Sequence, residues 1–287
     1  MENIRQALER SRELDAKRAE QKDRAPAAYQ QPLTIEPRTG EQNRSVEHGP
    51  EVVLNGAHLE ANRIIAHDET DPRSRSFDML RTQVLQSMDQ KNWKILGITS
   101  PTPGCGKTVT AINLALSISR QPDRSVLLVD LDLQKPQHIA TSMGLNCKTG
   151  VFGVLEGHTN LSNAIIPTRA GNCQVMVLPT EKSTSDSSAW MVSREMTALL
   201  QEIKRDYRSH IVVVDLPPML ASDDFIALMP QLDCILLVAA VGKSTVSEIE
   251  ECNTHLHSAE VVRLVLNKVP ELNAQYYAYN TSRPSRK

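Results

Sequence analysis

Two glycines, a lysine and a threonine stand in the order Gly104-Cys105-Gly106-Lys107-Thr108, and Asp130 and Asp215 each close an aliphatic run, with Asp132 two positions past the first. Glycines at 104 and 106 let successive backbone N–H groups turn inward on an anion with no Cβ in the way. A helix starting at Lys107 adds its unpaired N-terminal donors and the positive end of its dipole. A lysine so placed reaches the β- and γ-phosphates of a nucleotide, and the hydroxyl of the next residue sits on magnesium. Pro103, Gly104, Cys105, Gly106, Lys107, Thr108 and Val109 are therefore the expected nucleotide contacts. Magnesium takes oxygen ligands, usually one or two carboxylates with phosphates and water, and Asp130, Asp132 and Asp215 supply enough acids. Asp215, ending a run of three valines, has the form of the acid that holds the metal directly or through water. The loop departs from G-x-x-x-x-G-K-[ST] at its first position, which is Pro101, but it keeps the inner glycines. Cys105 is either a small tolerated residue or a thiol made reactive by the loop's N–H dipoles and Lys107.

These residues need a scaffold that brings them to one edge. The runs at 95–99, 125–130, 173–178, 211–215, 234–239 and 261–266 are short, aliphatic and lack alternation, as expected of strands buried on both faces. Helical spacing is expected from Lys107 onward, at 149–156 and as one long helix over 188–206. Before the first strand, Phe77, Leu80, Val84, Leu85 and Met88 share a helical face. Strands alternating with helices imply an α/β fold, a mostly parallel sheet with helices on both faces, which binds ligands at the carboxyl ends of its strands. The expected domain covers residues 72–271.

The flanks differ in composition. Residues 1–50 carry nine acidic and nine basic residues and four prolines. Such a segment buries too little surface to order itself, so residues 1–71 are expected to be a largely disordered extension, partly helical over 3–24. Residues 272–287 are expected to be a flexible tail. It holds Tyr276, Tyr277 and Tyr279, three of the chain's five tyrosines. A net charge of −2 with dispersed basic residues offers no footprint for nucleic acid. No apolar run approaches the roughly 20 residues of a membrane-spanning helix, which favours a soluble, cytoplasmic protein. Five widely spaced cysteines suggest reduced thiols.

The combination SPTPGCGKT, VLLVDLDLQKP and VVVDLPPML, followed by DCILLV and LVLNKV, resembles the bacterial tyrosine autokinases of exopolysaccharide and capsule synthesis, within the P-loop NTPases. The resemblance covers about residues 72–280. It implies ATP and Mg2+ as cofactors, with Lys107 on phosphate and Thr108, Asp132 and Asp215 on the metal. By the same resemblance Asp130 accepts the tyrosine proton, Asn267 touches adenine, and Tyr276, Tyr277 and Tyr279 are the phosphoacceptors. It also implies self-association, with transfer between subunits, and a separate membrane activator of the chain-length-regulator type that recruits the protein to the membrane. The family's ring motif, E-x-x-R-x-x-R, is matched by Arg75, Asp78 and Arg81. With the first two charges reversed, a swapped pairing with a neighbour is the form left open. Two other readings stand beside this one. A positioning or partition ATPase would carry a second loop lysine, where this chain has Thr102; a nucleotide-binding regulatory module would need little catalysis.

Overall fold

The computed structural model describes residues 48–135, 138–256 and 259–270. The expected helix at 3–24, most of the N-terminal extension and the three tail tyrosines lie outside the described residues. The chain divides into residues 1–47 and 48–287, and the fold is that of the second unit.

Its strands are β1 (Val52–Val53), β2 (Ile95–Thr99), β3 (Ser125–Asp130), β4 (Ile166–Ala170), β5 (Cys173–Leu178), β6 (His210–Asp215), β7 (Cys234–Ala240) and β8 (Val261–Asn267). Among the described residues the helices are α1 (Gly56–Ala61), α2 (Arg75–Lys91), α3 (Lys107–Ser119), α4 (His138–Met143), α5 (Val151–Leu155), α6 (Leu161–Ala164), α7 (Ser187–Met191), α8 (Arg194–Asp206), α9 (Asp224–Leu228) and α10 (Val246–His255). The strands form one sheet in the order β1-β4-β5-β3-β6-β2-β7-β8. Every neighbouring pair is parallel except β4 with β5. Side chains alternate between two cores. Leu96, Ile98, Leu128 and Val213 enter the one under α3, and Ile95, Leu127, Val129 and Val212 enter the one under α8. Both faces are thus dry, which is why these strands read as continuous aliphatic runs. Parallel register sets Asp130 opposite Asp215 and Ile98 opposite Asp215, so β2, β3 and β6 end level with one another.

Four features differ from the sequence expectations. The packed unit begins well before residue 72, because Leu54, Leu59, Ile64 and Ala66 lie in the core. Asn113, fully buried in α3, fixes that segment by accepting from Ile65 N and Ala66 N at 2.8 and 2.9 Å and donating to Arg63 O at 3.0 Å. The single helix expected over 188–206 is two, because Ser193 leaves helical geometry and caps α8 by accepting from Met196 N at 3.0 Å. The helix expected over 149–156 is the shorter α5. Strand β4 was not expected. It turns antiparallel onto β5 through Gly171-Asn172, with Gly171 at φ 57°.

Helix α2 carries Arg75, Asp78 and Arg81. Asp78 Oδ1 accepts from Ser117 Oγ at 2.7 Å, from Arg81 Nη1 at 3.1 Å and from Arg120 Nη2. Arg120 is 5% exposed at its side chain. Asp78 and Arg81 are thus committed to the contact of α2 with α3, while Arg75 is exposed.

Candidate nucleotide site

The site starts where β2 gives way to α3. Thr99 ties the end of β2 to the β6 exit by donating to Pro217 O at 2.7 Å, and Met219 N returns a bond to Ser100 O at 2.8 Å. The loop then needs left-handed backbone at Gly104, φ 82°, and at Gly106, φ 92°. A Cβ on Gly106 would stand 2.3 Å from Asn267 Nδ2, so a side chain here meets both a strained φ and the Asn267 amide.

Lys107 is the centre of charge. Its Nζ lies 2.8 Å from Asp132 Oδ2, 3.3 Å from Asp215 Oδ1 and 3.5 Å from Thr108 Oγ1. Thr108 Oγ1 donates to Asp215 Oδ2 at 2.6 Å. Asp130 stands beside them, with Oδ1 accepting from Asp132 N at 3.2 Å and Oδ2 buried without a hydrogen-bond partner. Asp130 and Asp215 are fully buried and Asp132 is nearly so. Burial, reinforced by the Asp215 charge, holds the Asp130 carboxyl well above the usual carboxylate range, against the pull of Lys107. Burial also raises Asp215, an effect partly offset by Lys107 and by the Thr108 hydroxyl. For Lys107 burial acts downward, but the Asp215 and Asp132 carboxylates more than offset it and raise its pKa.

These residues fit a magnesium nucleotide. Asp132 and Asp215 share one ammonium, an excess of negative charge that a divalent cation would neutralise, and one buried oxygen of the neighbouring Asp130 has no donor. Among the described residues no three His, Cys, Asp or Glu side chains form a group able to hold an ion by themselves. Magnesium needs fewer, since it keeps phosphates and water as ligands.

Other expected contacts are distributed unevenly. Pro103 and Gly104 are exposed at the loop's tip, and Thr108 and Val109 are partly buried on the first turn of α3. Cys105 is fully buried, its Sγ donating to Thr102 O at 3.2 Å and lying 3.4 Å from Ser244 Oγ. Its thiol is turned into the protein and away from solvent, so it does not have the setting of a reactive cysteine. Asn267 grips the loop, donating from Nδ2 to Cys105 O at 2.9 Å. Of the tyrosines outside the tail, Tyr207 is 2% exposed and meets His48 Nε2 at 3.4 Å, which removes it as an accessible acceptor; Tyr29 lies outside the described residues.

Two further residues complete the site. Thr180 donates to the Asp130 carbonyl at 2.6 Å, and Lys268 Nζ donates to Gly104 O at 2.7 Å. Asn-Lys after the last strand was the visible sign of the second clamp; nothing in the sequence marks Thr180.

Residues 93–257 match the family described as AAA domain. EpsB of Ralstonia nicotianae is 29% identical over 227 residues, which are 79% of this chain and 29% of that protein. The tyrosine-protein kinase CpsD of Streptococcus agalactiae is 27% identical over 207 residues, 71% of this chain and 86% of that one. The chain therefore spans less than a third of the first relative and most of the second. The kinase domain of the Escherichia coli tyrosine kinase ETK superposes with a TM-score of 0.65 at 24% identity, over 83% of this chain and 88% of that domain. It shares the P-loop α/β fold.

Proposed function

The chain belongs to the AAA-domain family and is related to bacterial tyrosine kinases, and from that premise we propose that it is an ATP-dependent protein-tyrosine kinase acting on its own C-terminal tyrosines, mainly between subunits, in the control of exopolysaccharide synthesis or export. The observation that carries the reading is the meeting of Lys107, Thr108, Asp132 and Asp215 within 3.5 Å contacts at the ends of β2, β3 and β6. Thr108, Asp132 and Asp215 would hold Mg2+ and ATP's phosphates beside it, and the ion would neutralise charge on the transferred phosphoryl group.

Each residue then has a task. The N–H groups around Gly104 and Gly106 bind phosphate oxygens. Lys107 leaves its carboxylate partners for the β- and γ-phosphates. Asp130 takes the proton of the acceptor hydroxyl. A tyrosine hydroxyl has a pKa of about 10, and a carboxylate raised by burial is better matched to it than an ordinary one. The γ-phosphoryl passes to tyrosine oxygen, ADP leaves, and the proton stays on Asp130 until solvent removes it.

Tyr276, Tyr277 and Tyr279 are the proposed acceptors. No described helix is long and apolar enough to cross a membrane. A membrane protein of the chain-length-regulator type is proposed as activator and anchor for a cytoplasmic kinase. The test is to incubate the protein with Mg-ATP, with and without a candidate partner's cytoplasmic segment, and to locate phosphate by mass spectrometry. Phosphotyrosine at the three tail positions is the expected result. ATP hydrolysis with no phosphotyrosine under either condition would instead favour a positioning ATPase.

A further inference from the structure

The turn that presents Asp132 is held from outside the site. It spans Asp132 to Lys135 and closes through Lys135 N donating to Asp132 O at 3.1 Å. Leu131 N, just before it, donates to Asp215 O at 2.9 Å, and Leu133 O accepts from Thr184 N at 3.2 Å. The side chain at its third position, Gln134, reaches away from the nucleotide side. Its Nε2 donates to Asp224 Oδ2 at 3.2 Å and to Ser187 Oγ at 3.0 Å, one proton for each.

Asp224 is an unusual acid. It is fully buried at the start of α9, and no described Lys, Arg or His forms an ion pair with it. Its other oxygen accepts from Ser188 Oγ at 2.7 Å, and the same hydroxyl lies 2.6 Å from Asp223 Oδ1, so two carboxylates share a single hydroxyl proton. A buried carboxylate without a cation depends on its hydrogen bonds, and among the described residues Gln134 is its side-chain amide donor. The bond therefore serves Asp224 as much as it serves the turn.

We propose that Asp224, acting through Gln134, is a positioning residue that sets the Asp132 carboxylate for the metal. The inference rests on the kinase reading for the identity of the ligand. Asp224 touches neither the nucleotide contacts nor Lys107. It orients the turn one hydrogen bond away, as groups behind a ligand commonly do.

The test reverses the donor and the acceptor. Gln134→Glu, at an exposed position, sets a carboxylate against Asp224; Asp224→Asn in the same chain restores a donor–acceptor pair with the direction exchanged. The readout is the Mg2+ concentration that half-saturates binding of a fluorescent ATP analogue, alongside the melting temperature without ligand. Gln134→Glu should raise that concentration by about 10-fold or more, the usual effect of losing a partner behind a ligand. Nucleotide binding without Mg2+ should stay unchanged, and the double variant should recover the original Mg2+ requirement. An unchanged requirement in Gln134→Glu, or no recovery in the double variant despite an unaltered melting temperature, would overturn the inference and leave the kinase reading standing. Failure of the unsubstituted protein to bind Mg-nucleotide at all would overturn both.

Discussion

At the scale of single residues, charge governs the site. Lys107 offsets Asp132 and Asp215, so its loss acts twice. Lys107→Met should weaken nucleotide binding by about 100-fold, the worth of a charge-assisted contact of about 3 kcal/mol, and abolish tail phosphotyrosine. It should also lower the melting temperature without nucleotide, because two buried carboxylates lose their cation. Near-normal phosphotyrosine in that variant would remove the site assignment. Asp130 makes the opposite prediction. Its folded pKa lies above its unfolded value, so its contribution to stability is fully present below about pH 4 and is lost as pH rises through the folded pKa. Asp130→Asn cannot ionise. It should melt like the original protein near pH 4 and above it by several degrees at pH 8, about 1–3 kcal/mol, while sparing nucleotide binding and slowing phosphotransfer. Thermal melts across that pH range check the sign. Lys107 and Thr108 stood out in the sequence because a phosphate loop fixes residue type and spacing together, and Asp215 because it closes a buried aliphatic run. The sequence did not reveal which way Cys105 points, since a loop thiol can face the anion or the core, and its contacts with Thr102 O and Ser244 decide.

Elements tell a similar story at larger size. Their existence was readable wherever both faces of a strand are buried, as in β3, β6 and β7, because only aliphatic runs satisfy two cores at once. Boundaries were not. The hydrophobic pattern runs on through Val192 and Ser193, and the break between α7 and α8 comes from a cap, which competes with helix locally and leaves the apolar spacing intact. Strand β4 hides because Pro167, Thr168 and Arg169 are not a typical strand core; the Gly171-Asn172 turn was its one sign. Packing between α2 and α3 rests on Asp78, with Arg81, Arg120 and Ser117 gathered on one oxygen. Asp78→Ala should therefore destabilise the fold by about 2 kcal/mol, because two poorly exposed guanidinium groups lose their acceptor. Equilibrium denaturation of dilute protein measures this directly, and a change in assembly state with no change in stability would contradict it. In the phosphate loop, Gly106→Ala should abolish nucleotide binding even though alanine is small, since both its φ of 92° and the Asn267 amide oppose a Cβ.

For the whole molecule, topology does the gathering. Residues 99–108, 130–132 and 215 are far apart in the chain, and they meet because β2 lies between β6 and β7 while β3 lies against β6. That order was beyond sequence reading, which gave parallel strands and a common edge but no neighbours. Sequence distance also bears on how phosphate reaches the tail. Tyr276 is the ninth residue after Asn267, at most roughly 30 Å away when the chain is fully extended. Because Asn267 already touches the phosphate loop, that length permits transfer within one subunit as well as between subunits, and a mixing experiment tests the proposed transfer between subunits. Mixing a Lys107→Met protein that keeps its tail with a tailless active protein should label the tail of the former. An unlabelled tail would rule out transfer between subunits.

How such a tailless protein is cut matters more than the tyrosines themselves suggest. Asn267 and Lys268 hold the carbonyls of Cys105 and Gly104, so the end of β8 is the keystone of the phosphate loop as well as the root of the tail. A stop codon after Pro270 should leave a working enzyme without acceptors. One placed only four residues earlier, after Leu266, should yield an inactive protein whose defect lies in the loop, and a truncation series read without this distinction would credit the tail with activity that belongs to the last two residues of the scaffold.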